Sequence, residues 1–342
     1  MMIVNSSAPG KAVLFGEYVV LFGAPAIATA LNARVRITLN TTQKDFHTVT
    51  APGYVDGTWR FLQDGSGEID WQDELPDKSS FALLENIWQR IPMDASLRLS
   101  VSIDSNEFFA AAGGAKLGLG SSAAVSTALA RALYCCIDLS ADPADSFRAA
   151  KEAHTTFQGG RGSGVDIATS FHGGLLEFRK ESDMPPRQLT WPGGLAYRFL
   201  WSGHPASTRN KLRLLRDTAH NRESTLVLGT AAEDITSIWS TGAVERIMDA
   251  MRHYMEALRQ FDVDHDLGIF DAGHAGLVEM AAASDLVYKP CGAGGGDIGA
   301  VFGADEESVI EFCRQAKDHD FVQLDLQPDA QGVQVRIEQE VE

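Results

Sequence analysis

Lys116-Leu117-Gly118-Leu119-Gly120-Ser121-Ser122-Ala123-Ala124 is the stretch on which the reading of this chain turns. Gly118 and Gly120 carry no side chains, so backbone N–H groups can approach a ligand closely. Ser121 and Ser122 add hydroxyls, and either can cap a helix. The run that follows, Ala123 to Leu133, is rich in alanine and strongly helix-forming. A glycine turn feeding a helix N-terminus is an anion site, because unpaired N–H groups and the positive end of the dipole converge there. Phosphate is the expected guest. The stretch is neither Gly-x-x-x-x-Gly-Lys-Ser/Thr nor Gly-x-Gly-x-x-Gly, so it indicates neither a P-loop nor a dinucleotide fold.

Composition narrows the class. The chain has 342 residues, 44% hydrophobic and 22% charged, which is globular and long enough for two domains. A net charge of −17 argues against general nucleic-acid binding, which needs a basic face. It also gives extra weight to each lysine beside a glycine loop, since local cations must overcome the overall field to hold an anion. No apolar run reaches bilayer-spanning length, and Met1 to Ser7 lacks a signal-peptide pattern, so no membrane contact and a cytoplasmic location are expected. Cys135, Cys136, Cys291 and Cys313 form no Cys-x-x-Cys pair, which disfavours structural zinc and disulfides. The sequence sets no oligomeric state.

Outward from the central stretch, Pro9-Gly10 reads as a turn. The apolar run Ala12 to Leu21 is interrupted by Gly16 and Glu17; Glu17 there needs either a buried ion pair or a ligand. Ala26 to Thr38 reads as a strand, residues 41–78 as a hairpin or an excursion at a domain edge, Ser79 to Ile91 as a helix and Leu97 to Ile103 as a strand. Asp142 is placed to cap a helix over Pro143 to Phe157. Gln158 to Asp166 holds four glycines in the seven positions before Val165, and delivers Asp166 at a helix start. The Pro185-Pro186 region reads as a linker, dividing the chain into 1–185 and 186–342. In the second part, Tyr197 to Trp201 is a strand, 209–285 is mostly helical, and a third glycine loop, Gly292 to Gly296, enters the strand from Ile298 to Phe302. A helix from Glu306 to His319 and a strand near Val333 to Ile337 complete the pattern.

Three motifs in this order are more specific than any one of them. Pro9-Gly10-Lys11 with Gly16-Glu17-Tyr18, then Gly118 to Ala124, then Gly292 to Gly296, resemble the three motifs of the GHMP kinases, which act on galactose, homoserine, mevalonate and phosphomevalonate. The likeness runs from about Ala8 to Phe302. The spacing of Gln158-Gly-Gly-Arg-Gly-Ser-Gly-Val-Asp166, Asp297 after the third loop and the pair Ser207-Thr208 look most like the branch that acts on phosphomevalonate. Two departures stand out. Mevalonate kinases place a magnesium-binding Glu where this chain has the neighbourhood of His154, with Glu152 two residues earlier, and Cys291 is unusual before the third loop.

The resemblance implies an α+β protein of the GHMP kinase fold, with an N-terminal domain like ribosomal protein S5 domain 2 and a ferredoxin-like C-terminal domain. It implies ATP and Mg2+ as cofactors and a phosphorylated small molecule as substrate, with 5-phosphomevalonate converted to 5-diphosphomevalonate. Mevalonate kinase or another kinase of the family is the alternative, and a catalytically silent nucleotide-binding regulator is the alternative of another class. By the same resemblance Lys11 and Asp166 are the catalytic pair. Gly118, Leu119, Gly120, Ser121, Ser122 and Ala123 hold the ATP phosphates, and Ser122 reaches the metal. Lys11, Tyr18, Lys116, Ser163, Gly164, Ser207, Thr208, Lys211, Ala293 and Gly294 line the substrate site.

Overall fold

The structure is a computed structural model that describes every residue except 1, 65–66, 111–113, 161, 181, 183, 207, 216–221 and 340–342. Its first sheet begins with β1 (Met2–Phe15) and β2 (Ala26–Thr41), a long antiparallel pair. The apolar alternation of Val4, Ala8, Ala12 and Leu14 puts those side chains into the core. The turn expected at Pro9-Gly10 does not form: β1 runs through it, and the pairing register shifts between the two residues. A bulge is where a strand tolerates a proline, which has no N–H for the ladder.

Residues 41–78 do not leave the domain. They form β3 (His47–Ala51), β4 (Val55–Gln63) and β5 (Ile69–Trp71), a meander that extends the sheet beyond β6 (Leu99–Asp104). Trp59 and Trp71 both pack on Phe81, just before α1 (Ala82–Trp88). Also on this sheet lie α2 (Ser121–Ile137) and α4 (Val165–His172), and α3 (Pro143–Phe157) packs against α1, α2 and α4. The alanines of α2 are buried, and their small volume lets the helix sit close to β1 and β2. Asp142 accepts the Ala144 N–H at 2.9 Å and caps α3 as expected. Then β7 (Leu175–Phe178) pairs with β2, and β8 (Arg187–Leu189) pairs with β7.

The second sheet is β9 (Ala196–Trp201), β10 (Val287–Pro290), β11 (Ile298–Gly303) and β12 (Val322–Leu324), antiparallel in the order β10-β11-β9-β12. Between β9 and β10 the chain makes α5 (Thr208–Leu214), α6 (Glu223–Ile238), α7 (Val244–His265) and α8 (His274–Ala283); α9 (Glu306–Ala316) lies between β11 and β12. This strand order, with helices in the two crossovers, is the ferredoxin-like arrangement. Sheet membership does not cut the chain at 185/186. β8 lies in the first sheet, and the last strand, β13 (Gln334–Gln339), returns to pair with β1.

One buried charge cluster joins the two sheets. Glu17, just past β1, is 2.7 Å from the ammonium of Lys289 on β10, and both side chains are excluded from solvent. The Tyr254 hydroxyl donates to Glu17 Oε2 at 2.9 Å and accepts the Gly16 N–H at 2.8 Å. Lys289 also donates to the Pro290 carbonyl at 2.6 Å and lies 5.4 Å from the centre of the Phe15 ring. Burial raises the Glu17 pKa, and Lys289 opposes that rise. Of the two readings of Glu17, the buried ion pair is the one present.

Two further buried histidines are held neutral. His47 Nδ1 accepts the Leu99 N–H at 3.2 Å, and the ring stacks on Phe61. His274 sits between the Tyr288 hydroxyl (2.8 Å) and the Gly296 carbonyl (3.0 Å), so its Nε2 carries the proton and its Nδ1 accepts. Burial lowers both pKa values to about 4.

These buried groups make the fold testable in two ways. Lys289→Met should cost about 3–5 kcal/mol in chemical denaturation, because it strands the Glu17 carboxylate. Adding Glu17→Gln should recover part of that loss; a single variant as stable as the wild type would show that the pair is not what joins the sheets. For the histidines, the unfolded chain gains protons near pH 6.5 while the folded one waits until about 4. Their contribution is therefore present above pH 6.5 and lost as pH falls toward 4. Near pH 5 unfolding should take up about two protons from these residues, a slope of about 2.7 kcal/mol per pH unit, and His47→Gln should remove about half of it.

Candidate active site

The site is assembled where β1, two glycine loops and the start of α4 meet. The Lys11 N–H donates to the Leu119 carbonyl at 2.8 Å, so the central loop is fastened to β1 at the residue that carries the candidate catalytic ammonium. That ammonium is 3.2 Å from Asp166 Oδ1, and both side chains are largely shielded. Asp166 is the second residue of α4, where the helix dipole favours its charge. Ser163 accepts the Val165 N–H through its hydroxyl at 3.3 Å and shapes the turn into that helix.

In the central loop neither serine caps α2. The cap position is Gly120, in the left-handed region, with no side-chain hydrogen bond. Within the described residues the N–H groups of Gly118 to Ser122 make no hydrogen bond, which leaves five donors at a helix N-terminus. The Ala123 N–H, expected to join them, is engaged by the Gly120 carbonyl at 3.0 Å. The glycines have a second reason to be there. A β-carbon on Gly118 would lie 2.2 Å from the Asp297 β-carbon, and one on Gly120 would lie 2.7 Å from Lys11 Cε.

The third loop is held from several sides. Gly292 N–H donates to the Val13 carbonyl at 3.1 Å, the Tyr18 hydroxyl to the Ala293 carbonyl at 2.5 Å, and Gly295 N–H to the Ile269 carbonyl at 2.7 Å. Asp297 closes the loop against Gly118 and accepts the Ala206 N–H at 2.9 Å. Burial raises the Asp297 pKa, with that N–H, Lys11 and Lys116 acting the other way. Burial likewise pushes the Cys291 thiol up to about 11, so the unusual residue before the loop is an inert neutral thiol.

Two cavities meet at the Lys11–Asp166 pair. The larger, about 420 Å³, is lined by the apolar Phe81, Leu84, Phe108, Phe109 and Val125 and by Lys116 and residues 118–122, among others. The smaller, about 70 Å³, is lined by Glu17, Tyr18, His154, Ser163 and Gly164 among others. Lys11, Gln158, Asp166, Gly292 and Ala293 border both.

The structure thus brings together most of the expected residues. It does not bring Lys211, whose ammonium donates to the Leu267 carbonyl and, at 2.9 Å, to that of Gly268, beneath Gly295; Lys211 lines neither cavity. Gly294 packs against Ile269 and also lines neither. Ser207 lies outside the described residues, and Thr208 opens α5.

Residue-type reasoning missed the inner side of α3. Lys151, His154 and Gln158 share one face of that helix by their spacing. His154 is buried, with Nε2 3.0 Å from the Ser122 hydroxyl. Burial lowers its pKa to about 4; Asp166 opposes the shift and Lys11 adds to it. Lys151 packs its stem against Gly164, with Cε 3.1 Å from where a β-carbon there would be. The 3.6-residue period of α3 was the available signal. Among the described residues no group of three or more His, Cys, Asp or Glu side chains could hold a metal ion.

Comparison with known proteins agrees with this architecture. Residues 83–174 match the family described as the GHMP kinases N terminal domain. A phosphomevalonate kinase from a Streptomyces species is 29% identical over 358 residues, covering 90% of this chain and 92% of that protein. A mevalonate kinase from Methanothermobacter thermautotrophicus is 27% identical over 314 residues, covering 90% of each. Among solved structures, Streptococcus pneumoniae phosphomevalonate kinase in complex with phosphomevalonate and AMPPNP superposes with a TM-score of 0.78 at 18% identity, covering 95% of this chain and 99% of that one. Residues 83–174 thus match the N-terminal domain of the GHMP kinases, and the chain as a whole has their α+β fold. No helix among the described residues is long and apolar enough to cross a membrane.

Gly120 offers a direct check on the loop geometry. Gly120→Val adds both left-handed strain and a contact with the Lys11 stem. Calorimetric affinity for AMP-PNP with Mg2+ should fall at least about tenfold in a protein that still melts cooperatively; unchanged affinity would dissociate this loop from nucleotide binding.

Proposed function

We propose that this chain transfers a phosphoryl group from ATP to the phosphate of 5-phosphomevalonate, giving the 5-diphosphate. The observation that carries this reading is the Lys11–Asp166 pair, 3.2 Å apart, on the wall shared by the two cavities. In this reading the nucleotide occupies the larger cavity, base toward its phenylalanines and phosphates on the free N–H groups of Gly118 to Ser122. The acceptor occupies the smaller cavity. Phosphoryl transfer needs alignment and charge neutralisation more than covalent help. Lys11 neutralises charge at the transferred group. Asp166 orients Lys11 and takes a proton where the acceptor phosphate carries one. An acceptor phosphate is already anionic near neutral pH, so a strong general base is not required.

Mg2+ fits the site as an ion carried in on phosphates, with the Ser122 hydroxyl as the protein oxygen beside it. Mg2+ keeps water and phosphate oxygens in its shell and needs few protein ligands. Ser122 would hold it, and its chemistry there is to offset phosphate charge. Lys11, Ser122 and Asp166 are all present, which counts against a catalytically silent regulator.

The relatives' names support a phosphorylated or unphosphorylated mevalonate as acceptor. A second reading, mevalonate as acceptor, is favoured by one feature: Lys11 is the one cationic side chain lining the smaller cavity among the described residues. Against it stand the N–H groups of Gly162, Ser163 and Gly164, which make no hydrogen bond within the described residues, and Lys151 alongside Gly164. Donors of that kind suit a phosphate, and a site that relies on them rejects an analogue lacking the partner by about four orders of magnitude.

The deciding measurement is ADP release with Mg2+ over 5-phosphomevalonate, mevalonate, galactose and homoserine. We expect kcat/KM to favour 5-phosphomevalonate by about 10⁴, and Asp166→Asn to lower kcat by about two orders of magnitude with little change in nucleotide affinity. Equal or better turnover of mevalonate would transfer the assignment to that acceptor. Nucleotide binding with no turnover of any acceptor would favour the regulatory role.

A further inference from the structure

We propose that His154 is a positioning residue that couples acceptor binding to nucleotide binding, by turning the Ser122 hydroxyl toward the cation that accompanies the nucleotide. The inference rests on the reading above, in which the smaller cavity takes the acceptor. Three observations carry it. The His154 Nε2 lies 3.0 Å from Ser122 Oγ, on the nucleotide loop. Its Nδ1 makes no hydrogen bond among the described residues, although the side chain is almost fully buried. The same residue lines the smaller cavity, where Lys11 and Asp166 also stand. One imidazole therefore contacts the nucleotide loop through Nε2 and borders the smaller cavity, with Nδ1 left for a partner.

A neutral imidazole has one donor and one acceptor, and the bond made at one nitrogen fixes the role of the other. In the tautomer protonated at Nδ1, that N–H donates to an anionic oxygen of the acceptor, and Nε2 accepts the Ser122 O–H. The Ser122 oxygen then has its lone pairs clear of the histidine and can face a cation. In the other tautomer, Nε2–H donates to Ser122, one lone pair is occupied, and the hydroxyl proton must point elsewhere, the cation side included. An acceptor that binds Nδ1–H thus selects the state in which Ser122 is a ligand. By linkage the coupling is reciprocal: nucleotide with its cation favours acceptor binding by the same factor. A carboxylate at this place would hold the cation directly and would have no tautomer to select.

The test is calorimetric titration of AMP-PNP with Mg2+ in the absence and presence of saturating 5-phosphomevalonate. For the wild type we expect the acceptor to tighten nucleotide binding about tenfold. His154→Phe should reduce that factor to about twofold or less while each ligand alone still binds. His154→Gln keeps an acceptor and a donor on one group and should restore part of the coupling. Ser122→Ala should abolish it, and the double variant with His154→Phe should lose no more. ¹⁵N spectra of the wild-type ternary complex should show His154 protonated at Nδ1 and not at Nε2. Coupling undiminished in His154→Phe, absence of coupling in the wild type, or an Nε2–H tautomer in the ternary complex would each overturn the proposal. If His154→Phe does not fold, the Gln variant and the wild-type spectra decide. If mevalonate binds and 5-phosphomevalonate does not, the acceptor assignment fails; coupling is then read with mevalonate, and its absence there would overturn this proposal separately.

Discussion

The geometry of the whole site hangs on a charge pair that never meets solvent. Glu17 and Lys289 come from different sheets, and neither could be buried alone, since an isolated charge in that setting would cost several kcal/mol. Held together they fix the end of β1 against β10. Lys289 leads through Pro290 and Cys291 into the third glycine loop, and Gly292 is bound to Val13, two residues along β1 from Lys11. The pair thereby sets the spacing between a loop of the second sheet and the candidate catalytic lysine of the first. A packed apolar seam could have offered similar stability. The ion pair also specifies one register, because a shift would separate the two charges.

Much of the fold was legible because its signals are local. The helix after Gly120, the Asp142 cap and the strand from Leu99 to Asp104 depend on residues within a few positions of one another. Pro9-Gly10 shows the limit. Its local chemistry is that of a turn, and only the pairing with β2 makes it a bulge. The return of β13 to β1 was beyond sequence reading for the same reason. What holds that segment is Arg34, which donates to the carbonyls of Ser7 and Gly332 and to the Asp329 carboxylate, partners spread over the length of the chain.

The site was legible in its residues and less so in their reasons. Gly118 and Gly120 read as openings for a ligand, yet each also makes room for a side chain from another segment, Asp297 and Lys11. Lys211 read as a basic residue near an anion; it instead satisfies carbonyls just past the end of α7, a role no charge pattern announces. His154 was visible only as the absence of a carboxylate. What it does follows from a contact with Ser122 across two helices, and such contacts have no sequence period.

The overall charge makes the arrangement of the few local cations consequential. At −17 the protein repels anions at long range, so an anionic ligand gains little from steering and must be held at close quarters. Backbone N–H groups are suited to such short-range holding, because they are fixed in place, carry no counter-charge and lose no side-chain entropy on binding. One shielded lysine then suffices at the reacting centre, provided its charge is aimed. Lys11 is aimed from three directions: its backbone is tied to the glycine loop, its stem is confined by Gly120, and its ammonium is paired with Asp166. A second free cation beside it would have to be neutralised in the resting protein by another carboxylate, which would then compete with the incoming phosphate. Aiming one cation avoids that competition, so an anion site of the proposed kind is compatible with a strongly acidic chain.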